Sequence, residues 1–194
     1  MGRRSDHSRG ELETLILDAG SALMADAGLG RFSAREVAKR VGYSIGTIHN
    51  VFGGYDGLVV AINTRTFGLW ADHLRGALDA SQDRIAALVD GYFGFARANT
   101  HLWNAIYDHR LPDGAVLPDA DQAARGVLTE IVVGEVARAL GQTPEAAAAL
   151  SRSLIATVHG HCSLAISGAW ALMGEAAPEV AALARVREAL AAQR

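Results

Sequence analysis

Cysteine is almost absent from this chain of 194 residues: Cys162 stands alone. That excludes a disulfide within one chain and any zinc site built from several cysteines, and it fits a reducing cytoplasm, with Cys162 read as a small buried residue. Aromatic residues make up only 6%, and β-branched residues are few beside alanine. This balance argues against sheet and for packed helices. No stretch approaches ~18 uninterrupted apolar residues, and the opening Met-Gly-Arg-Arg-Ser-Asp-His-Ser lacks the apolar run of a signal peptide. Neither a membrane span nor export is expected, and the protein is placed in the cytoplasm. A positive excess is missing as well, since the net charge is -3, so composition alone gives no pull toward nucleic acid. A Walker loop, Glu-x-x-His pairs and a spaced cysteine-histidine set are all lacking. No enzymatic activity, metal or cofactor is therefore expected. His159 and His161, two apart, face different sides of a helix and make a poor chelating pair.

What is present is a succession of helix signals, giving an all-α expectation. Ser8-Arg9-Gly10-Glu11 is a capping box opening a helix whose Leu12, Leu15, Ile16, Ala19 and Leu23 recur at helical spacing, up to Gly28 and Gly30. Ser33-Ala34-Arg35-Glu36 is a second such box, followed by Val37, Ala38 and Val41 and closed by Gly42. Ser44 then caps another short helix with Ile48, Val51 and Phe52 on its inner face. Two short helices joined by a tight glycine turn make a helix-turn-helix. After the turn at Gly53-Gly54-Tyr55-Asp56 a long helix begins, so the chain is divided into 1–56 and 57–194. Further helices are expected over 83–99, 101–110, 119–140, from Pro144 behind its cap Thr143, and from Pro178.

In a helix-turn-helix the second helix enters the major groove, so its outer residues should be small or polar. Here they are Ser44, Ile45, Gly46, Thr47, His49 and Asn50. Asn50 suits adenine, Thr47 a phosphate or a thymine methyl, and Arg35 a guanine or a phosphate. A helical hairpin that only packs within a bundle is the competing reading of the same spacing. A helical-bundle enzyme and a purely structural interaction module are the alternatives for the chain as a whole.

Residues 15–58, from Leu-Ile-Leu-Asp-Ala-Gly through Phe-Ser-Ala-Arg-Glu-Val-Ala-Lys-Arg-Val-Gly-Tyr-Ser-Ile-Gly-Thr-Ile-His-Asn-Val-Phe to Tyr-Asp-Gly-Leu, resemble the DNA-binding domain of the TetR family of bacterial repressors. The resemblance implies a homodimer on a double-stranded DNA operator, controlled by a small-molecule effector held in a divergent helical C-terminal domain. Contacts to DNA would come from Arg35, Ser44, Ile45, Thr47, His49, Asn50 and Tyr55. That family usually carries lysine where this chain has Tyr55, tyrosine at His49 and often lysine at Ile45. Phosphate contact is thereby shifted toward Arg3, Arg4, Arg9, Arg35 and helix N-termini. Residues 156–164 resemble a His-Gly helix of one C-terminal subgroup, with Ile155 where a tryptophan is usual. Gly160 and Gly168 are read as helical and as points of close helix approach, first of all in a dimer. For the effector, Trp70, Tyr92, Trp103, Ile106, Tyr107 and His159 are the candidate lining residues, with ordinary core packing as the alternative.

Overall fold

The computed structural model describes residues 7–174 and 176–193. These residues form ten α-helices and no strand: α1 Arg9–Ala27, α2 Ala34–Val41, α3 Ile45–Phe52, α4 Tyr55–Asp79, α5 Arg84–Ala98, α6 Thr100–Asp108, α7 Asp119–Leu140, α8 Pro144–Ile166, α9 Ala169–Leu172 and α10 Pro178–Ala191. A single 3-10 turn, Leu29–Arg31, follows α1.

Local chemistry sets most boundaries. At α1 the capping box is complete, since Ser8 Oγ accepts the Glu11 amide and Glu11 accepts the Ser8 amide at 2.7 Å. The second box is only half made. Ser33 Oγ accepts the Glu36 amide at 3.4 Å, but the Glu36 carboxylate turns toward Lys39 and Arg40, 3.9 and 3.7 Å away. An alternative cation within reach outcompetes the backbone amide. Thr143 caps α8 with Pro144 at its first position. The reading of Gly168 as a helical residue is corrected: it takes φ +77° and separates α8 from α9. Gly160 does lie within α8, and open space surrounds the place where a Cβ would stand.

The chain forms two compact units, and they do not follow a cut at Asp56. One comprises Met1–Thr66 with His101–Gln122, the other Phe67–Thr100 with Ala123–Arg194. The first unit buries Ile16, Leu23, Met24, Val37, Ile48, Leu58 and Ile62 together with Leu102 and Ala105 of α6. Polar ties account for the place of α6 there. Buried Asn63 donates to the Ala105 carbonyl at 3.1 Å, His101 Nδ1 meets the Ala25 carbonyl at 2.7 Å, and His109 Nε2 meets Asp56 at 3.0 Å.

In the second unit α10 lies along α8, and α5 packs on both. Its core holds Trp70, Leu74, Phe93, Phe95, Val136, Leu154, Cys162, Val186 and Leu190. Burial pushes the Cys162 thiol up to about 12. Glu135, a buried carboxylate, is held by Arg84 through two bonds of 2.6 and 2.8 Å. Those hydrogen bonds outweigh the desolvation that opposes them and hold the carboxyl below the usual glutamate range.

Candidate nucleic-acid interface

Helix α2 ends because Gly42 takes φ +75°, a left-handed conformation that lets its amide and that of Tyr43 bond back to the last turn. One residue further on, Ser44 opens α3. Its Oγ accepts the Thr47 amide at 3.3 Å and lies 3.2 Å from Thr47 Oγ1. The buried side of the pair is anchored by Val37 and Ile48, both wholly inaccessible. Helices α2 and α3 each pack on α1 and on one another. Burying Ile48 commits the opposite face of α3 to solvent.

That face carries Ser44, Ile45, Gly46, His49 and Asn50, all exposed, with Thr47 half-buried; Arg35 is exposed in the first turn of α2. Five of the seven residues expected to meet DNA thus lie on α3 and its cap, with Arg35 in the first turn of α2. The seventh, Tyr55, is the first residue of α4. Its ring leans on Phe32, centroids 5.8 Å apart, and is 39% exposed. Partial burial, and then Asp56, raise its pKa, so the hydroxyl stays protonated and can donate. Arg9 is exposed at the start of α1, while Arg3 and Arg4 lie outside the described residues.

Two close approaches that motif reading did not show shape this face. The His49 ring lies against Gly54, within 3.2 Å of where a Cβ would stand. At Gly57 a Cβ would fall 1.7 Å from the Phe52 carbonyl oxygen, so only glycine lets α4 begin this close to the end of α3. The Tyr-Asp-Gly-Leu string contained the signal, but the clash becomes visible only once both helices are placed.

The six candidate effector residues fall into two groups. Trp70, Tyr92 and His159 belong to the second unit, where Trp70 stacks on Phe95 and meets Tyr92 edge-on, and Tyr92 Oη is 2.9 Å from His159 Nδ1. Trp103, Ile106 and Tyr107 are on α6, in the first unit. The helical spacing was right for all six, but it carries no information on which helices share a core. A cavity of about 40 Å³ in the second unit is lined by Tyr92 among aliphatic residues, including Ile85, Leu88, Val136, Leu154 and Val158.

Among the described residues no helix is long and apolar enough to cross a membrane, and no group of three His, Cys, Asp or Glu is placed to hold a metal.

Comparison with known proteins agrees with this geometry. Residues 16–62 match the family described as "Bacterial regulatory proteins, tetR family". Residues 85–188, more than half the chain, match "Tetracyclin repressor-like, C-terminal domain". No curated protein matches the sequence. Among solved structures, a protein of unknown function from Rhodococcus sp. RHA1 has a TM-score of 0.74 at 21% identity, over 98% of each chain. SCO4313, described as a regulatory protein, has a TM-score of 0.72 at 22% identity over 98% of this chain and 100% of its own. The multidrug binding protein EbrR, complexed with imidazole, has a TM-score of 0.62 at 21% identity over 95% and 96%. At such identities the structural likeness speaks for the fold, and the matched families carry the assignment: with its helix-turn-helix and its helical C-terminal domain, this chain belongs to the TetR family and is a DNA-binding transcriptional regulator.

Proposed function

We propose that the protein is a repressor that holds a two-fold operator as a homodimer and releases it when a small, uncharged, largely apolar molecule enters the second unit. The observation that carries this reading is the cavity among α5, α7, α8 and α10, whose walls are aliphatic apart from Tyr92. Burial lowers the His159 pKa, so the imidazole beside Tyr92 is neutral at pH 7 and no ionised wall invites a charged ligand. About 40 Å³ accommodates little more than a water or two. A ligand must therefore spread the surrounding helices, and α4, which supplies residues to both units, is the covalent route for that displacement. Coupling of ~1 to 3 kcal/mol would weaken operator binding some 5- to 150-fold, and operator would weaken ligand equally.

On the DNA side, Arg35 and Asn50 read bases while Ser44, Thr47 and Tyr55 engage phosphates; Ile45 and His49 fill the remaining contact surface. A single eight-residue helix reads few bases, so two-fold pairing of subunits supplies the rest of the specificity. Exposed Leu164 of α8 and Val180 of α10, 37% and 68% accessible, favour these helices as the pairing face.

The test is a thermal-shift screen of small molecules followed by operator titration of Val132→Phe, which puts a ring into the cavity from a half-buried position. The expected variant binds operator as the wild type does but no longer releases it. Ligand affinity indifferent to saturating operator would refute the coupling.

A further inference from the structure

We propose that the first unit carries a ligand site of its own, a cleft beside the end of the recognition helix that takes an organic cation with a bulky apolar body. The cleft holds about 380 Å³, within the ~300–1,000 Å³ of small-molecule sites and far above the cavity of the second unit. It is walled by α1, the end of α3, the start of α4, the loop joining α6 to α7 and the first turn of α7, all within the first unit. Val51, Phe52, Val60, Leu111, Val116 and Leu117 supply its apolar surface. Val116 is 81% accessible, so part of that surface stands in water and gains from being covered.

Charge selects the kind of ligand. Glu13, Asp56 and Asp121 line the cleft, and no lysine or arginine among the lining residues offsets them. His109 meets Asp56 at 3.0 Å, whereas the carboxylates of Glu13 and Asp121 have no ion pair or hydrogen bond among the described residues. A ligand that covers the apolar wall takes water away from these carboxylates. A neutral molecule returns nothing for that loss and an anion is repelled, while a cation restores it by direct attraction. The walls are also tied in place. The Asp56–His109 contact holds one end of the loop, the Ala115 amide donates to the Pro112 carbonyl at 3.0 Å, and Gln122 donates to the Leu117 carbonyl at 2.8 Å. Little ordering is left for a ligand to impose.

Val51 and Phe52 end the recognition helix, and Asp56 follows Tyr55. On the reading that α3 and Tyr55 face DNA, a cation in the cleft offsets negative charge next to a phosphate contact. It should therefore tighten operator binding, the reverse of what the effector of the second unit does.

Tetraphenylphosphonium and tetraphenylborate share a shape and differ in the sign of their charge, and calorimetric titration of the full chain with each tests the site. The cation should bind saturably, one per chain, and the borate weaker by roughly tenfold or more. Glu13→Gln and Asp121→Asn should each weaken the cation roughly two- to fivefold, the span of an accessible charge pair. Val132→Phe, in the cavity of the second unit, should leave it unchanged. No binding of the cation, equal affinity for the borate, or no loss in the Glu13→Gln/Asp121→Asn double variant overturns the site. Binding abolished by Val132→Phe assigns the cation to the other cavity and overturns it equally. Operator titration with the cation saturating should show affinity raised roughly twofold or more. Unchanged or weakened affinity, with Asn50→Ala still impaired, overturns the coupling and leaves the reading face intact. Indifference to both Asn50→Ala and Arg35→Ala would instead refute the reading face itself.

Discussion

Gly57→Ala and Gly68→Ala are the same substitution in the same helix, and they should move stability in opposite directions. Alanine is favoured over glycine in a helix by up to ~1 kcal/mol. At Gly68 nothing lies within 4 Å of the new methyl, so that gain is kept in full. At Gly57 the methyl would stand 1.7 Å from the Phe52 carbonyl oxygen, a backbone atom that no rotamer change can move aside. Relief requires α4 and the end of α3 to separate by more than about 1 Å, and overpacking of this kind costs ~1 to 3 kcal/mol or more. The two variants should thus differ by roughly 1 to 3 kcal/mol after the propensity gain is counted on both sides. For a chain of this size that is a gap of roughly 2 to 12 °C in melting temperature. Thermal unfolding followed by circular dichroism measures the gap. Operator titration supplies a second readout, because Phe52 is the last residue of the recognition helix and its displacement should weaken Gly57→Ala and spare Gly68→Ala. Equal, upward shifts in melting temperature for the pair would refute the close approach of α3 and α4.

Arg35→Ala and Asn50→Ala should each lose ~1 to 3 kcal/mol of operator affinity and relax base preference locally, which selection from randomised operators would reveal. Tyr55→Lys should steepen the salt dependence by about one phosphate per subunit; an unchanged slope would mean that its ring, leaning on Phe32, does not address the backbone. The lowered pKa of Glu135 means that its contribution is fully present above ~4.3 and is lost as pH falls through the folded-state value. Glu135→Gln should destabilise the protein at pH 7, since it removes the carboxylate that Arg84 binds twice, and should flatten the acid limb of the stability profile. Cys162, buried and with its thiol pushed up to about 12, should resist thiol reagents in the native protein and label on unfolding.

Helix identity and most helix ends were legible from residues because they are local matters. Capping hydroxyls at Ser8, Ser44 and Thr143 find amides three positions away, and the Asp119–Leu140 helix is bounded where its periodicity is. The outward face of α3 was legible for a related reason: Ile48 has to be buried, and a helix of eight residues has only one other side. Competition between partners was not legible. Glu36 left its box for two cations, and Gly168 gave its positive φ to a helix break, because several local arrangements of similar energy were open and packing chose among them. Least legible was which helices share a core. The apolar stripe of α6 suits any partner, and it joins the DNA-reading unit because Asn63, Asp56 and the Ala25 carbonyl lie where its own polar groups can meet them. Periodicity tells which side of a helix is turned inward; only the assembled chain decides what it is turned toward.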